Sequence, residues 1–143
     1  MRIYFIVPGN PVALKRHRSF TRGKMHGTYD PSKGDKGDFL AKAMANRPDK
    51  PLDEPLRVRL DFYFQRPKSH YRTGKFSDQK KDSAPYWHTK TPDADNLAKF
   101  VCDSLNGVFW RDDSIVCDLT VTKAYSKVPR TDITIENKKP GPS

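Results

Sequence analysis

Two aspartates stand two positions apart in the stretch TPDADNLAKF, where Asp93 and Asp95 are followed by Asn96 and Lys99. Paired carboxylates can hold Mg²⁺, and a lysine beside them can stabilise charge that develops on a phosphate. The same carboxylates also suit the first turn of a helix, where they interact favourably with the helix dipole. Asp95 and Lys99 are four residues apart, a spacing that ordinarily gives only a weak surface ion pair. The stretch therefore predicts either a metal-assisted site or a plain helix start.

A second acidic pair, Asp112 and Asp113, follows in the stretch WRDDS. A turn between a helix and a strand also favours aspartate. The connection 106–114 has nine residues, enough to run back along a helix of about 20 Å and bring Asp113 to the first pair. Three carboxylates at close range repel one another, and a divalent cation relieves that repulsion. The sequence permits this meeting of the two pairs without requiring it.

The charge balance favours an anionic partner. Lys and Arg outnumber Asp and Glu by 27 to 17, which gives a formal net charge of +10. Nucleic acid is the commonest partner of so basic a chain. A length of 143 residues fits one domain, and a hydrophobic share of 35% predicts a small core with long loops.

The excess of positive charge is concentrated in two segments. Residues 15–37 and residues 65–90 each carry seven Lys or Arg against two Asp, a net charge of +5 each. Apolar periodicity is absent from 65–90, where four aromatic residues are interleaved with the basic ones: Tyr71, Phe76, Tyr86 and Trp87. Such a segment is typical of a loop that contacts phosphates and stacks on unpaired bases, although a disordered, solvated loop has the same composition.

Several classes of protein are disfavoured by the sequence. Cys102 and Cys117 are isolated and form no CxxC pair, which argues against a zinc site and indicates reduced thiols in a cytoplasmic protein. No apolar run approaches the ~18 residues of a membrane span, and the first apolar run is too short for a signal peptide. We therefore expect no membrane partner.

The hydrophobic patterns predict a single α+β domain over residues 1–137, with a mixed or antiparallel sheet and two main helices, followed by a disordered tail at 138–143. The clearest strand is 56–64, which alternates strictly between apolar and polar residues. Its outer face is basic, and Asp61 on that face is expected to pair with Arg57 or Arg59. The other predicted elements are strands 3–7, 115–125 and 132–136 and helices 38–47 and 93–105.

The ends of the second helix have recognisable signals. Thr91 is expected to cap the helix with Pro92 in its first position, and Asn106-Gly107 is expected to end it. Residues 15–37 are predicted to form a loop. Lys123, on the predicted strand 115–125, is interpreted as a DNA contact or a solvated side chain.

The run PDADNLAKFVCDSLNGVFWRDD, followed by IVCDLTVTKAY, resembles the RusA family of Holliday junction resolvases. The stretches RPKSHYRTGK and PGNPVALKRHRSF resemble the basic segments of that family, so the resemblance covers most of residues 3–125. It implies a RusA-like fold and a homodimer that depends on Mg²⁺, with Mn²⁺ able to substitute. Such an enzyme makes paired, symmetric nicks in four-way DNA junctions during recombination and repair in a bacterial cell, and its genes are often carried by phages or prophages.

Carried onto this chain, the resemblance implies that Asp93, Asp95 and Asp113 bind the metal and that Lys99 is the catalytic lysine. Asn96 and Asp112 take supporting roles, and the preference for Asp113 over Asp112 as a ligand comes from the resemblance alone. The expected DNA-binding residues are Lys15, Arg16, Arg18, Arg22, Lys68, Arg72 and Lys75.

One position departs from the family pattern, because Ile115 stands where relatives often carry Gln. That departure affects the local polar contacts rather than the carboxylates. Two alternative functions stay open at this point. One is a non-catalytic DNA-binding module, and the other is a nuclease with a broader substrate range that includes branched and flap DNA.

Overall fold

A computed structural model describes residues 1–142. Its centre is a four-stranded sheet in the order β1-β6-β4-β5, in which β4 and β5 are parallel and the other neighbours are antiparallel. Two helices and a separate two-stranded hairpin complete the α+β domain that the sequence predicts. The elements are β1 Arg2–Pro8, β2 Arg18–Arg22, β3 Met25–Tyr29, α1 Lys33–Ala43, β4 Leu56–Phe64, α2 Ala94–Leu105, β5 Val116–Tyr125 and β6 Arg130–Asn137.

The core lies between the helices and one face of the sheet. Strand β4 supplies it with every second side chain, as its alternation predicts, and all five of these apolar residues are buried. Helix α2 faces them with its apolar stripe of Leu97, Phe100, Val101 and Leu105, all fully or almost fully buried. The helix ends at Leu105, and Gly107 takes a positive φ of 80° just beyond it, which confirms the predicted stop.

The predicted loop 15–37 is wrong in part. Strands β2 and β3 form an antiparallel hairpin there, turned by Gly23 at a φ of 58°, and α1 begins at Lys33 rather than at 38. The hairpin strands carry no alternation of apolar residues because nearly all of their side chains are exposed. Helix α1 begins early because two hydrogen bonds hold the fully buried Ser32 in place. The Ser32 amide donates to the Asp30 carboxylate, and the Ser32 hydroxyl oxygen accepts from the Lys15 amide.

The outer face of the sheet is less basic than its sequence indicates. Its arginines are ion-paired with carboxylates across or along the strands, and the expected pair between Arg59 and Asp61 is present at 3.0 Å. The other pairs are Arg2–Glu136, Arg57–Asp118 and Arg130–Asp132. The positive charge available to an anionic partner therefore lies mainly in the segments outside the sheet.

Contacts with the sheet continue to the first residue of the predicted tail. The Lys138 amide donates to the Pro55 carbonyl, and its ammonium lies 3.0 Å from Asp118. The boundary at 137 stays a prediction, and Ser143 lies outside the described residues. Among the helices of residues 1–142, none is long and apolar enough to cross a membrane.

Candidate functional site

Helix α2 begins at Ala94, one residue after the predicted bound of 93 and two residues after Pro92, the predicted first position. Asp93 is its N-cap residue, with an extended backbone, and its carbonyl accepts the first helical hydrogen bond from the Leu97 amide at 3.1 Å. The expectation that Thr91 caps the helix with Pro92 in first position is therefore wrong. The physical reason is a tertiary contact, because the carbonyl of Pro92 is bound by a side chain from β5 and lies outside the helix.

That side chain is Lys123. Its ammonium donates to the carbonyls of Lys90 and Pro92, at 2.7 Å in both cases. Its backbone carbonyl also accepts a hydrogen bond from the His88 amide at 3.0 Å. Lys123 thus fixes the chain that leads into Asp93, and it is not the DNA contact or solvated side chain that we expected.

A signal for this role was present in the sequence. Within β5, Lys123 shares its face with Val121 and Tyr125, and its neighbour across the ladder is the buried Phe62 of β4. A lysine at an inward position of an alternating strand needs acceptors for its three N–H groups, since an unpaired buried charge is costly. The alternation therefore indicated an internal partner for Lys123, without naming it.

The side chains of Asp93, Asp95 and Lys99 are all exposed on α2. Asp93 makes no side-chain capping hydrogen bond although it occupies the cap position. None of the three forms an ion pair within residues 1–142, so the expected weak pair between Asp95 and Lys99 is absent. Two carboxylates and one ammonium group are therefore available to an external partner at the start of this helix.

The first basic segment passes directly beside this helix start. The Leu14 amide donates to the Asn96 carbonyl at 3.2 Å, which holds the chain against the first turn of α2. The next residue, Lys15, is anchored on Ser32, and Arg16 and Arg18 then lead into β2. Asn96 thus supports the site through its backbone. The expected DNA-binding residues Lys15, Arg16, Arg18 and Arg22 are all exposed, and the chain that carries them leaves from beside the acidic pair.

A basic groove lies beside the residues that lead into this helix start. It has a volume of about 560 Å³ and is lined by Asn10, Arg66, Lys90 and Thr91, among others. Thr91 stands two residues before Asp93. Positively charged residues therefore lie on both chain segments that adjoin this helix start, an arrangement that attracts a polyanion.

Asp113 occupies a different environment. Its Oδ1 accepts a hydrogen bond of 2.7 Å from Trp110 Nε1, and it is partly buried at the start of a 3₁₀ turn, Asp113–Ile115. Burial raises the pKa of Asp113, the Trp110 hydrogen bond works against that rise, and the charges of Asp103 and Asp112 add to it. A carboxylate in this position gains from an added cation.

Asp112 has a local structural role. Its carboxylate accepts a hydrogen bond of 3.0 Å from the Ser114 amide and caps the 3₁₀ turn. Hydrogen bonds from Ser114 lower the pKa of Asp112. The supporting role that the resemblance implies for this residue corresponds here to shaping the turn that carries Asp113.

The two acidic pairs do not meet within one chain. The Phe109 amide bonds back to Leu105 and the Gly107 amide to Trp110, so the connection turns tightly instead of running along α2. Asp113 lies in electrostatic range of Cys102 and Asp103 in the last turns of the helix, whereas Asp95 precedes Cys102 by seven residues, about 10 Å along the axis, and Asp93 stands further away. Across residues 1–142, no three His, Cys, Asp or Glu side chains are placed to hold a metal ion together.

The second basic segment is folded rather than a featureless loop. Tyr71 and Lys80 form an isolated antiparallel bridge, the Arg72 amide donates to Gln79, and Arg66 Nη1 donates to the Pro85 carbonyl at 2.6 Å. The expected DNA-binding residues of this segment, Lys68, Arg72 and Lys75, are exposed on it. These contacts give the segment a defined path from the end of β4 to the start of α2.

Comparison with known proteins identifies the family. The family described as endodeoxyribonuclease RusA matches residues 8–136, which include both acidic pairs, Lys99, Lys123 and both basic segments. The chain belongs to the RusA family. The RusA-like identity that the motifs implied is thereby confirmed, and membership indicates a nuclease that cleaves DNA phosphodiester bonds.

A relative from Bacillus subtilis (strain 168), an uncharacterized protein called YqaN, is 37% identical over 136 residues. The alignment covers 93% of this chain and 94% of that protein. The two chains are therefore similar over nearly their whole lengths.

The role of Lys123 can be tested directly. Lys123→Met removes the ammonium that binds the carbonyls of Lys90 and Pro92, so the chain before Asp93 should loosen. We expect faster hydrogen exchange in a peptide spanning 86–97, and DNA cleavage slower by about tenfold or more, because small displacements of positioned groups are costly. Lys50→Met, which removes a charge from an exposed loop, is the matched control. Unchanged exchange and cleavage in Lys123→Met would show that the two hydrogen bonds do not position the site.

Proposed function

We propose that the protein is a Mg²⁺-dependent, structure-selective endodeoxyribonuclease that resolves four-way DNA junctions by paired, symmetric nicks, in DNA recombination and repair. The observation that carries this proposal is the exposed group of Asp93, Asp95 and Lys99, without partners in residues 1–142 and flanked by basic segments, in a chain of the RusA family. A capped helix start and a surface ion pair, the alternative interpretations of this motif, receive no support from its contacts.

The carboxylate pair suits the proposed ion. Mg²⁺ is usually bound by one or two protein carboxylates together with waters and substrate phosphates, and Asp93 and Asp95 offer such a pair. Mn²⁺ accepts the same oxygen ligands and is expected to substitute. When bound, the ion would supply an activated water and would stabilise the leaving oxygen of the phosphodiester.

Basic side chains of the protein stabilise the reacting phosphate and bind the DNA backbone. Lys99 is one helical turn beyond Asp95, and its ammonium is free to offset charge that develops on the phosphate during cleavage. The basic residues on β2 and on the segment 65–90 hold the DNA backbone. Binding by many such contacts is expected to weaken steeply as salt rises.

We also propose that the active form is a homodimer. A four-way junction presents two equivalent strands, and a two-fold dimer presents two equivalent sites to them. Because the tight turn after α2 keeps Asp113 away from Asp93 and Asp95 of the same chain, a second copy is the simplest source of a third carboxylate. A location in the bacterial cytoplasm is supported by the two free cysteines and by the relative from Bacillus subtilis; a phage or prophage origin stays an expectation.

The substrate class is tested with three labelled DNAs of equal length, a four-way junction, a flap and a linear duplex, each with Mg²⁺ and with chelator. We expect Mg²⁺-dependent cleavage of the junction at two symmetric positions and much slower cleavage of the others. Equal rates on flap and junction would favour the broader branched-DNA nuclease. Tight binding without cleavage in any metal would leave the non-catalytic DNA-binding module.

The carboxylates are tested by Asp93→Asn, Asp95→Asn and Asp113→Asn. Each should abolish Mg²⁺-dependent nicking, and in chelator each should bind the junction at least as tightly as the parent, because one repulsive charge is gone. The fold should survive, since the amide oxygen introduced by Asp113→Asn can still accept the Trp110 hydrogen bond and Asn is a good N-cap residue. Nicking rate, gel-shift affinity in chelator and melting temperature are measured on each variant, with Asp38→Asn as the control. If a variant nicks at the parental rate, the aspartate that it replaces is not part of the active site.

Mixing two inactive variants tests the dimer. If a site combines Asp93 of one copy with Asp113 of the other, a mixed dimer of Asp93→Asn and Asp113→Asn chains contains one intact site. That mixture should make single nicks without paired cuts. If each site is built within one chain, both sites of the mixed dimer stay defective and the mixture is inactive.

The lysine is tested by Lys99→Ala, which should remain folded because Ala is favourable at an exposed helix position. Cleavage should be lost while junction binding in chelator changes little. The pH and Mg²⁺ dependence of any residual rate should match the parent, because the carboxylates are untouched. Parental nicking rates in this variant would show that Lys99 plays no part in the chemistry.

A further inference from the structure

Two large aromatic side chains stand exposed shortly before the acidic pair. Tyr86 is 57% exposed and Trp87 is 55% exposed, and their rings lie edge to face with centroids 4.8 Å apart. Both residues precede Asp93 by six or seven positions. Adjacent aromatic rings of this size are ordinarily buried or engaged with a partner. Tyr86 and Trp87 are together called the aromatic platform below.

The backbone beneath the aromatic platform is fixed. The Tyr86 carbonyl accepts a hydrogen bond from the Tyr125 amide at 3.0 Å, and Trp87 forms an antiparallel bridge with Ala124. The next residue, His88, is buried and stacks on Phe64 with ring centroids 4.0 Å apart. The platform is therefore held against β5 by these backbone contacts, so little ordering is required when it binds a ligand.

The surroundings of the aromatic platform are basic. Tyr86 lines a groove of about 570 Å³ together with Tyr71, Arg66, Lys80 and Lys127, and with a single carboxylate, Asp78. The groove that approaches Asp93 shares Arg66 and Tyr125 with it. Basic residues therefore line the surface between Tyr86 of the platform and Thr91, two residues before Asp93, and their charge is complementary to a nucleic-acid strand.

From these contacts we propose that the aromatic platform stacks on an unpaired or unstacked base of the DNA substrate, on the strand that leads to the acidic pair. Every base has a π face, so stacking selects for exposed bases and not for sequence. The platform would thereby favour DNA with a disrupted stack, such as a branch point, over intact duplex. This inference rests on the proposed function in taking branched DNA as the substrate.

Phe76 provides a matched comparison within the same segment. It is also an exposed aromatic, at 44%, but it lies in the 3₁₀ turn Gly74–Phe76 with the Lys75 ammonium over its ring at 5.3 Å. Like Trp87 it lines neither of the two grooves, but unlike Trp87 it forms no bridge with β5. Removing Phe76 therefore changes exposed aromatic area in the segment without touching the platform.

The chain's tryptophans make the proposal measurable. Trp110 is fully buried, so a change of fluorescence on adding DNA reports mainly on Trp87. In chelator, the protein is titrated with single-stranded oligothymidylate, with a four-way junction and with intact duplex. We expect strong quenching by the first two and little by duplex. The signal should disappear in Trp87→Ala and persist in Phe76→Ala.

Affinity completes the test. Trp87→Ala and Tyr86→Ala should each weaken binding of oligothymidylate and junction by about tenfold, with duplex binding unchanged, and Trp87→Phe should retain most of the affinity. Equal loss on all three DNAs, or no loss and no quenching, would overturn the proposal. A change in sedimentation from dimer to monomer in the Ala variants would also overturn it, by assigning the platform to a contact between copies.

The proposal and the proposed function can fail separately. If oligothymidylate quenches the fluorescence of the parental protein but the protein does not cut junctions, the platform proposal stands and the resolvase assignment is wrong. If the parental protein cuts junctions but DNA causes no change in Trp87 fluorescence, only the platform proposal is wrong. Melting temperatures of the variants confirm that each is folded before its affinity is interpreted.

Discussion

The ammonium group of Lys123 joins the sheet to the candidate active site. Its hydrogen bonds to the carbonyls of Lys90 and Pro92 hold the chain outside the helix until Asp93, so that Asp93 becomes the N-cap residue and Asp95 falls in the first turn. The exposed carboxylates are thus positioned by a partly buried contact that does not involve them. Since the two carboxylates repel each other, this geometry depends on contacts made by the neighbouring backbone.

Positive charge is distributed unevenly over the surface of the domain. On the outer face of the sheet, arginines are paired with carboxylates, whereas the basic residues of the hairpin β2–β3 and of the segment 65–90 are mostly exposed. The positive charge that is not paired within the domain therefore lies mainly in these two segments. A polyanion is attracted to them more than to the sheet face.

Elements that bury one face could be predicted from the sequence, and elements without a buried face could not. Strand β4 and the apolar stripe of α2 follow directly from their periodicity, while the hairpin β2–β3 is missed because its side chains are exposed on both faces. The exact start of α2 depends on Lys123, a residue far along the chain, which local capping rules cannot include. The residue types of the site were visible in the sequence, but whether Asp113 meets Asp93 depends on tertiary hydrogen bonds in the connection after α2.

The segment between β4 and α2 leaves and rejoins the sheet at nearly the same place. The Phe64 carbonyl accepts from the Ser126 amide, and the Tyr86 carbonyl accepts from the adjacent Tyr125 amide. Because both ends are held at the end of the edge strand β5, by Tyr125 and by Ser126 directly after it, the intervening stretch 65–85 can change length with only a small cost in loop-closure entropy. Evolution, or a protein engineer, can therefore exchange this stretch while the core and the carboxylates keep their geometry.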